Sequence, residues 1–587
     1  MKRKFLLYIL LIIISAPVWS QQLAAGNPDF LKYQNNKWVD SVMTTLSPDE
    51  RIAQLIMVAA FSNRGEEHKK EILELVEEQK VGGLLFFQGD PEAQVKLMNE
   101  YQRAANVPLL GAIDAEWGLG MRLDNTISYP YQMALGAIQD EELIYKMGME
   151  IARQIKRVGL HLNFAPVVDV NNNPENPVIN YRSFGENKYN VAQKGVAYMK
   201  GLQDGRVLAT AKHFPGHGDT DTDSHYGLPQ INHPFPRLDS LELYPFRELI
   251  RAGVGGMMVA HLDIPALDST GVASTLSKPI ITGLLKQRLE FKGLIVTDAM
   301  NMKGVTLGNL PGVVDKDAIL AGNDMLEYSE DVPKAIEEVR TAINAGLITQ
   351  EEINDRCRRI LAIKQWVGMD DYRPSKSTNI LKELNTRKAK DLNEDLAKAS
   401  LTVLKNENML LPLQQKKRKI ASISIGVEEE SFFQKNLKEN YELENFQLSE
   451  EADEEEVKDI LRKLANFEVL LVAIHDTQSR PRNNINFSED VEELILQLAS
   501  RENTIFSLFK NPYVIDKIEG IENADGLILA YQDSEAAQRM AAGFIAGNSM
   551  ASGRLPVSIG NKFKAGDGFT IRNVPALLRL YRNFLLF

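Results

Sequence analysis

Val207-Leu208-Ala209-Thr210-Ala211-Lys212-His213 is the stretch whose reading decides the fold. A short apolar run, 207–211, stops on a lysine and a histidine. Continuous apolar character marks a strand buried on both faces, as in a parallel sheet covered by helices. Working outward, the same layout recurs at 55–61, 82–87, 109–113 and 160–170 on one side, and at 255–260, 293–297 and 323–328 on the other. Segments between these runs, such as 69–79, 141–157 and 279–289, carry charges with apolar residues at helical spacing. Eight βα units over some 280 residues have the size of a closed barrel. An open doubly wound sheet is the competitor, and the strand ends separate the two. Asp114, Asp169, Lys212 with His213, His261, Asp298 and Glu327 each follow a predicted strand, and a barrel draws its reactive groups from the carboxyl ends of several strands.

The composition shifts after residue 370. Residues 373–390 are polar and basic and read as a linker or a helix lying across the surface. A second α/β pattern follows, with strands expected at 420–425, 467–474, 504–509 and 526–530, giving an open sheet with helices on both faces. The expected architecture is therefore α/β throughout: a (β/α)8 TIM-type barrel over 21–370, a linker over 371–395, and an α/β/α sandwich domain over 396–587. The acidic run 450–456, six carboxylates in seven residues, reads as the solvated start of a helix.

Composition narrows the function. The 587 residues carry 67 Lys+Arg against 79 Asp+Glu, a formal charge of −12, and 44% of them are hydrophobic. That acidity argues against a nucleic-acid partner, which calls for a basic footprint. A lone cysteine, Cys357, excludes an intramolecular disulfide framework and a cysteine-based zinc site. At the N-terminus Lys2, Arg3 and Lys4 precede an apolar run, 5–14, and then small residues before Gln21. This is the layout of a cleaved secretory signal over 1–20, since the run has about half the roughly 20 residues that a spanning helix needs. Cleavage would take the formal charge from −12 to −15, with periplasmic or secreted localisation and no stable membrane insertion. Nothing in the sequence fixes an oligomeric state.

Three of the eight histidines fall within the fourteen residues 212–225. Their spacing invites a metal reading, with His213 and His217 as ligands beside a carboxylate. Pro215-Gly216 between them opposes it, because a helix placing residues i and i+4 on one face does not accommodate that pair. Asp223 and His225 instead form an acid/base pair: the carboxylate can hold one imidazole nitrogen and favour the imidazolium, leaving the other nitrogen to exchange a proton with a substrate oxygen. A nucleophile is then required. Asp298, at the end of the apolar run 293–297, would project into the barrel mouth, where a carboxylate can attack an anomeric carbon; its competing reading is a helix N-cap after the strand.

The segments Lys212-His213-Phe214-Pro215-Gly216-His217-Gly218 and Asp223-Ser224-His225 resemble the signature of glycoside hydrolase family 3, in particular its β-N-acetylglucosaminidase branch. Further matches stand in the family's order at 113–116, 163–170, 181–185 and 296–298, and in the second half at 405–413 and 552–557, so the resemblance covers nearly all of the mature chain. It implies a retaining exo-β-N-acetylhexosaminidase that removes terminal N-acetylglucosamine from peptidoglycan or chitin fragments. On that resemblance Asp298 is the nucleophile, and Asp223 with His225 the dyad that replaces the usual carboxylic acid catalyst. Asp114, Arg122, Arg182, Lys212 and His213 would hydrogen-bond the sugar, and neither cofactor nor metal is implied. Family members acting on glucosides or xylosides take their acid from the second domain, whereas the acetamido-sugar branch carries the Asp-x-His pair on the barrel. The rival expectations are a β-glucosidase or β-xylosidase, a phosphorylase, and a non-catalytic cell-wall carbohydrate-binding protein. Two departures stand out. Trp117-Gly118 replaces a more usual glycine pair after Glu116, although Arg122 keeps its spacing of eight from Asp114. The ending 577–587 is apolar and basic and fits either a packed segment or a link to a further domain.

Overall fold

The computed structural model describes residues 26–306, 308–413, 418–478 and 484–571. The leader expected over 1–20 and the ending 577–587 lie outside the described residues. Eight strands form the first sheet: β1 (Ile56–Ala60), β2 (Gly83–Phe86), β3 (Leu110–Ile113), β4 (Leu162–Asn163), β5 (Leu208–Phe214), β6 (Gly256–Val259), β7 (Leu294–Thr297) and β8 (Leu326–Glu327). Neighbours pair in parallel in the order β7-β6-β5-β4-β3-β2-β1-β8, and a parallel bridge between Val296 and Met325 closes the ring. This is the expected barrel. Every residue of the eight strands is buried, because helices cover the outside and side chains fill the inside.

Two strands depart from the apolar runs that announced them. The run 160–170 yields only the two-residue β4, because Pro166 has no N–H to give a ladder; pairing resumes at a bridge between Val167 and Lys212. Strand β5 instead outruns its apolar stretch, its register against β6 shifting between Ala211 and Phe214, so Lys212 and His213 lie within the strand's carboxyl end. Between strands, the helix Glu141–Arg157 shows why the intervening segments fold as they do. Asp140 caps it by accepting from the Glu142 N–H, acidic residues occupy its first turn and Lys156 and Arg157 its last, and Ile144, Met147, Ile151 and Ile155 form its buried stripe. Cys357 is fully buried on the helix Gln350–Trp366, where burial pushes its thiol up to about 12.

The second sheet has six strands: β9 (Thr402–Asn406), β10 (Ile420–Ile425), β11 (Leu443–Leu448), β12 (Val469–Ile474), β13 (Thr504–Leu508) and β14 (Gly526–Leu529). Their order is β11-β10-β12-β13-β14-β9, with β9 antiparallel to β14 and the rest parallel. Four were expected. The two additions, β9 and β11, are the edges; β11 is half solvated, so Leu-Glu-Asn-Phe-Gln-Leu does not read as an apolar run, and the buried part of β9 is only Thr402 to Leu404. The acidic run leads into the helix Glu454–Leu464, capped by Asp453. Between the sheets, the helices Ile380–Leu384 and Arg387–Ser400 cross the barrel surface, where Arg153 and Arg157 donate to the backbone carbonyls of Glu383 and Lys376. Among the described residues no helix is long and apolar enough to cross a membrane.

The two sheets share packing. Met133, Ala134 and Ala137, on the helix Gln132–Ala137 after β3, belong to the apolar core of the second domain. Glu186 accepts from the Ser558 N–H and hydroxyl at 2.8 and 2.7 Å, and Gln532 accepts from the Tyr131 N–H at 2.7 Å.

Candidate active site

Asp114, Arg122, Arg182, Lys212, His213, Asp223, His225 and Asp298, contributed by widely separated parts of the chain, line one cavity of about 1030 Å³ at the carboxyl ends of the barrel strands. Its floor is a lattice of buried charges. Asp114, one residue beyond β3, accepts from Lys212 Nζ at 2.8 Å on Oδ1 and from Arg122 Nη2 at 2.5 Å on Oδ2. Burial alone would raise its carboxyl, yet Lys212 and Arg122 hold it well below the usual carboxylate range. Glu116, fully buried, accepts from Arg182 through both Nε (2.9 Å) and Nη2 (2.7 Å) and lies 2.9 Å from Lys212 Nζ. There too burial is overcome by Arg182 and Lys212, which bring the carboxyl down to about 2. A bidentate fork fixes the guanidinium plane as well as its charge.

His213 is held from behind. Its Nδ1 sits 2.7 Å from Asp169 Oδ2, and its Nε2 lies 3.3 Å from Arg182 Nη2. Asp169, wholly buried, also accepts from the backbone N–H groups of His213 and His217. His217 meets the His213 ring edge to face and places Nδ1 2.7 Å from the Thr220 hydroxyl and Nε2 3.3 Å from that of Ser224. His217 thus ties down the loop, and among the described residues no three His, Cys, Asp or Glu side chains come together in metal-holding geometry. Gly218 is required at its position, because a Cβ there would stand 1.9 Å from the Val170 carbonyl oxygen.

Asp298 follows β7, whose ladder continues through the Asp298 N–H to the Val259 carbonyl at 2.9 Å. Its Oδ1 accepts from the Ala299 N–H at 2.9 Å. Burial opposes its charge, but the His213 and His261 rings, that amide and Lys212 hold its carboxyl below the ordinary value. His261 lies buried between the Thr275 hydroxyl (2.6 Å) and the Ala299 carbonyl (3.0 Å), bracing the segment that follows Asp298.

Asp223 and His225 stand at the cavity rim. Asp223 Oδ1 lies 2.7 Å from His225 Nδ1 and accepts from the His225 backbone N–H at 2.9 Å. Their side chains are 26% and 62% exposed, so the outer ring nitrogen is open to the cavity mouth. The loop is fastened to the segment that follows β7 by the Gly304 N–H, which donates to the Ser224 carbonyl at 3.1 Å.

Glu116, Asp169, His261 and Glu327 were not among the expected site residues, although Asp169, His261 and Glu327 were visible as strand ends. Charge balance holds the signal for Glu116. Arg122, Arg182 and Lys212 gathered around a single Asp114 would leave buried cations uncompensated, so a second buried carboxylate is required. The second domain also reaches the site: Asn484 lines the cavity, and Asn511 donates to Asn180 at 2.6 Å at the start of the turn Asn180–Arg182 that carries Arg182.

Comparison with known proteins agrees with this geometry. A model of the glycosyl hydrolase family 3 N-terminal domain matches residues 47–363, and one of the family's C-terminal domain matches residues 401–576. A protein of Pseudoalteromonas piscicida named beta-hexosaminidase A is 28% identical over 548 residues, 83% of this chain and 91% of its own. A Cellulomonas fimi protein named beta-N-acetylglucosaminidase/beta-glucosidase is 26% identical over 65% of this chain and 68% of its own. Among solved structures, that of a glycoside hydrolase family 3 beta-N-acetylglucosaminidase from a Paenibacillus species superposes with a TM-score of 0.73 at 31% identity, covering 87% of this chain and 98% of the other.

Proposed function

The chain belongs to glycosyl hydrolase family 3, and from that premise we propose that it is an exported, retaining exo-β-N-acetylhexosaminidase. The observation that carries this reading is the hydrogen-bonded pair of Asp223 and His225 on a barrel loop, at the mouth of the same cavity as Asp298. Among its described residues the second domain lends that cavity Asn484 and no carboxylate, and 479–483 contain none either, so an acid from that domain is unsupported. The relatives named above as hexosaminidases support the same branch.

In the first step Asp298 attacks the anomeric carbon while the outer nitrogen of His225 gives its proton to the glycosidic oxygen. The carbon–oxygen bond breaks, the leaving alcohol departs, and the sugar stays esterified to Asp298. In the second step the same nitrogen takes a proton from water, whose oxygen displaces Asp298 and releases the sugar as the β-anomer. Asp223 keeps the ring oriented through both steps. Asp114, Arg122, Arg182, Lys212 and His213 hold the sugar, and the closed floor favours a terminal residue. Peptidoglycan or chitin fragments ending in N-acetylglucosamine would supply it outside the cytoplasm, as the leader motif 1–20 suggests. The Cellulomonas relative, whose name joins both activities, gives a plain β-glucoside standing as a second substrate.

D298A is expected to abolish hydrolysis of an aryl N-acetyl-β-glucosaminide; retention of more than about one per cent of the rate would refute the nucleophile role. Product NMR checks the stereochemistry, with first release of the α-anomer excluding retention. Rates with and without inorganic phosphate distinguish hydrolysis from phosphorolysis.

A further inference from the structure

The mechanism above leaves one strand-end carboxyl of the cavity without a task. Glu327, the last residue of β8, lines the cavity and is 3% exposed. Among the described residues lining the cavity, two buried side-chain atoms have no hydrogen-bond partner, Arg122 Nε and Glu327 Oε2. Arg122 already has its place on Asp114. Glu327 has no such place, although leaving a buried polar group unpaired is costly. Its backbone, by contrast, is fixed on both sides: its N–H donates to the Thr297 hydroxyl at 2.9 Å, and its carbonyl accepts from the Met300 N–H at 2.8 Å. Those two partners flank Asp298, so the orphan carboxyl stands on the strand next to the nucleophile.

We propose that Glu327 is the residue that selects the substituent on the carbon beside the reacting one, taking a hydrogen bond with the 2-acetamido group of the bound sugar. This rests on the β-N-acetylhexosaminidase reading. With the anomeric carbon over Asp298, a group one strand away, about 4.8 Å, meets the atoms attached to the adjacent ring positions. Of these, the C2 substituent offers both an N–H and a carbonyl. The cations of the floor are engaged by Asp114 and Glu116, whereas Glu327 is unengaged. Its charge state suits a carbonyl partner. Burial, Asp114 and Asp298 push its carboxyl well above the usual range against the opposing pull of Lys212 and Arg122. That direction favours the protonated acid, the form that can donate to a carbonyl.

The test compares kcat/KM for an aryl N-acetyl-β-glucosaminide and the matching aryl β-glucoside in wild type, E327M and E327Q. E327M should lose about 100-fold on the acetamido sugar and less than about 3-fold on the glucoside, because a site built to hydrogen-bond a group discriminates strongly through it. E327Q, which keeps a donor and an acceptor in nearly the same shape, should stay within about 5-fold on both. The melting temperature of E327M should not fall, since the substitution removes an orphaned polar atom; a merely structural carboxyl would show the reverse. If E327M does not fold, E327D, which draws the acid back by one methylene, reports the same ratio. A selectivity ratio unchanged in the folded variant overturns the assignment. Preference of the wild type for the glucoside would instead overturn the activity reading, and it is visible before any variant is made.

Discussion

The floor and the rim of this cavity do opposite kinds of work with the same residue types. On the floor, Asp114 and Glu116 are clamped among Arg122, Arg182 and Lys212, every one of them buried or nearly so. At the rim, Asp223 and His225 make a single carboxylate–imidazole contact with the ring largely in solvent. A buried lattice cannot reorganise without leaving a charge unpaired, so under the proposed function it would offer a sugar a fixed set of partners. A group that must hand a proton out and take one back needs access and little electrostatic commitment. On the proposed function, rigidity for recognition and exposure for proton transfer fall to two separate layers of one cavity. The rim loop is itself tied down at Ser224, whose carbonyl accepts from the Gly304 N–H in the segment that follows Asp298.

Breaking the floor should have the largest effect. E116A leaves Arg182 and Lys212 facing an empty site, and the loss of stability is expected at about 3–5 kcal/mol, read from chemical denaturation. A loss below about 1 kcal/mol would show that the lattice is not the rigid layer described here. H225A tests the other side: stability within about 0.5 kcal/mol of wild type, with kcat down about 100-fold or more on a substrate with a poor leaving group. The deficit should shrink with a dinitrophenyl leaving group, which departs without a proton. A uniform deficit across leaving groups would remove the acid role from His225.

Acid separates the layers in another way. The Glu116 carboxyl titrates at about 2 in the folded protein against 4.5 in the unfolded chain, so the unfolded state binds more protons between those values. Stability from this group is complete above about pH 4.5 and is lost as the pH falls toward 2. Denaturation midpoints measured across that window should drop steeply for wild type and for H225A alike, and less steeply for E116Q. The smallest effect is expected at the domain contact. N511A removes the donor to Asn180 and loosens the turn that carries Arg182, which should raise KM severalfold with kcat within about 2-fold. A change in kcat alone would place Asn511 elsewhere in the mechanism.

Much of this layout was legible in the residues. Periodicity and continuous apolar runs announced eight strands, because a strand buried on both faces is apolar along most of its length and carries charge only at its carboxyl end, as at Lys212 and Glu327. The motif around residues 212–225 stated its chemistry locally, since Asp223 and His225 meet across a two-residue spacing and need no other part of the chain. The edge strand β11 was not legible, because a half-solvated strand lacks that signature, and β9 has only three buried residues, Thr402 to Leu404, before Lys405 and Asn406.

What the sequence by itself determined is the order of elements, the two α/β halves and the short-range pair at the rim. What only the tertiary structure decided is the pairing of charges across the barrel. Glu116 meets an arginine 66 positions away and Asp114 a lysine 98 positions away, and Asp169 takes up His213 from a neighbouring strand. Such partners are chosen by strand register and by the cost of burying an unpaired charge, and neither leaves a mark in the residues on either side. The same reason hid Glu327: one carboxyl at a strand end looks like any other until the fold shows which of them has been left without a partner.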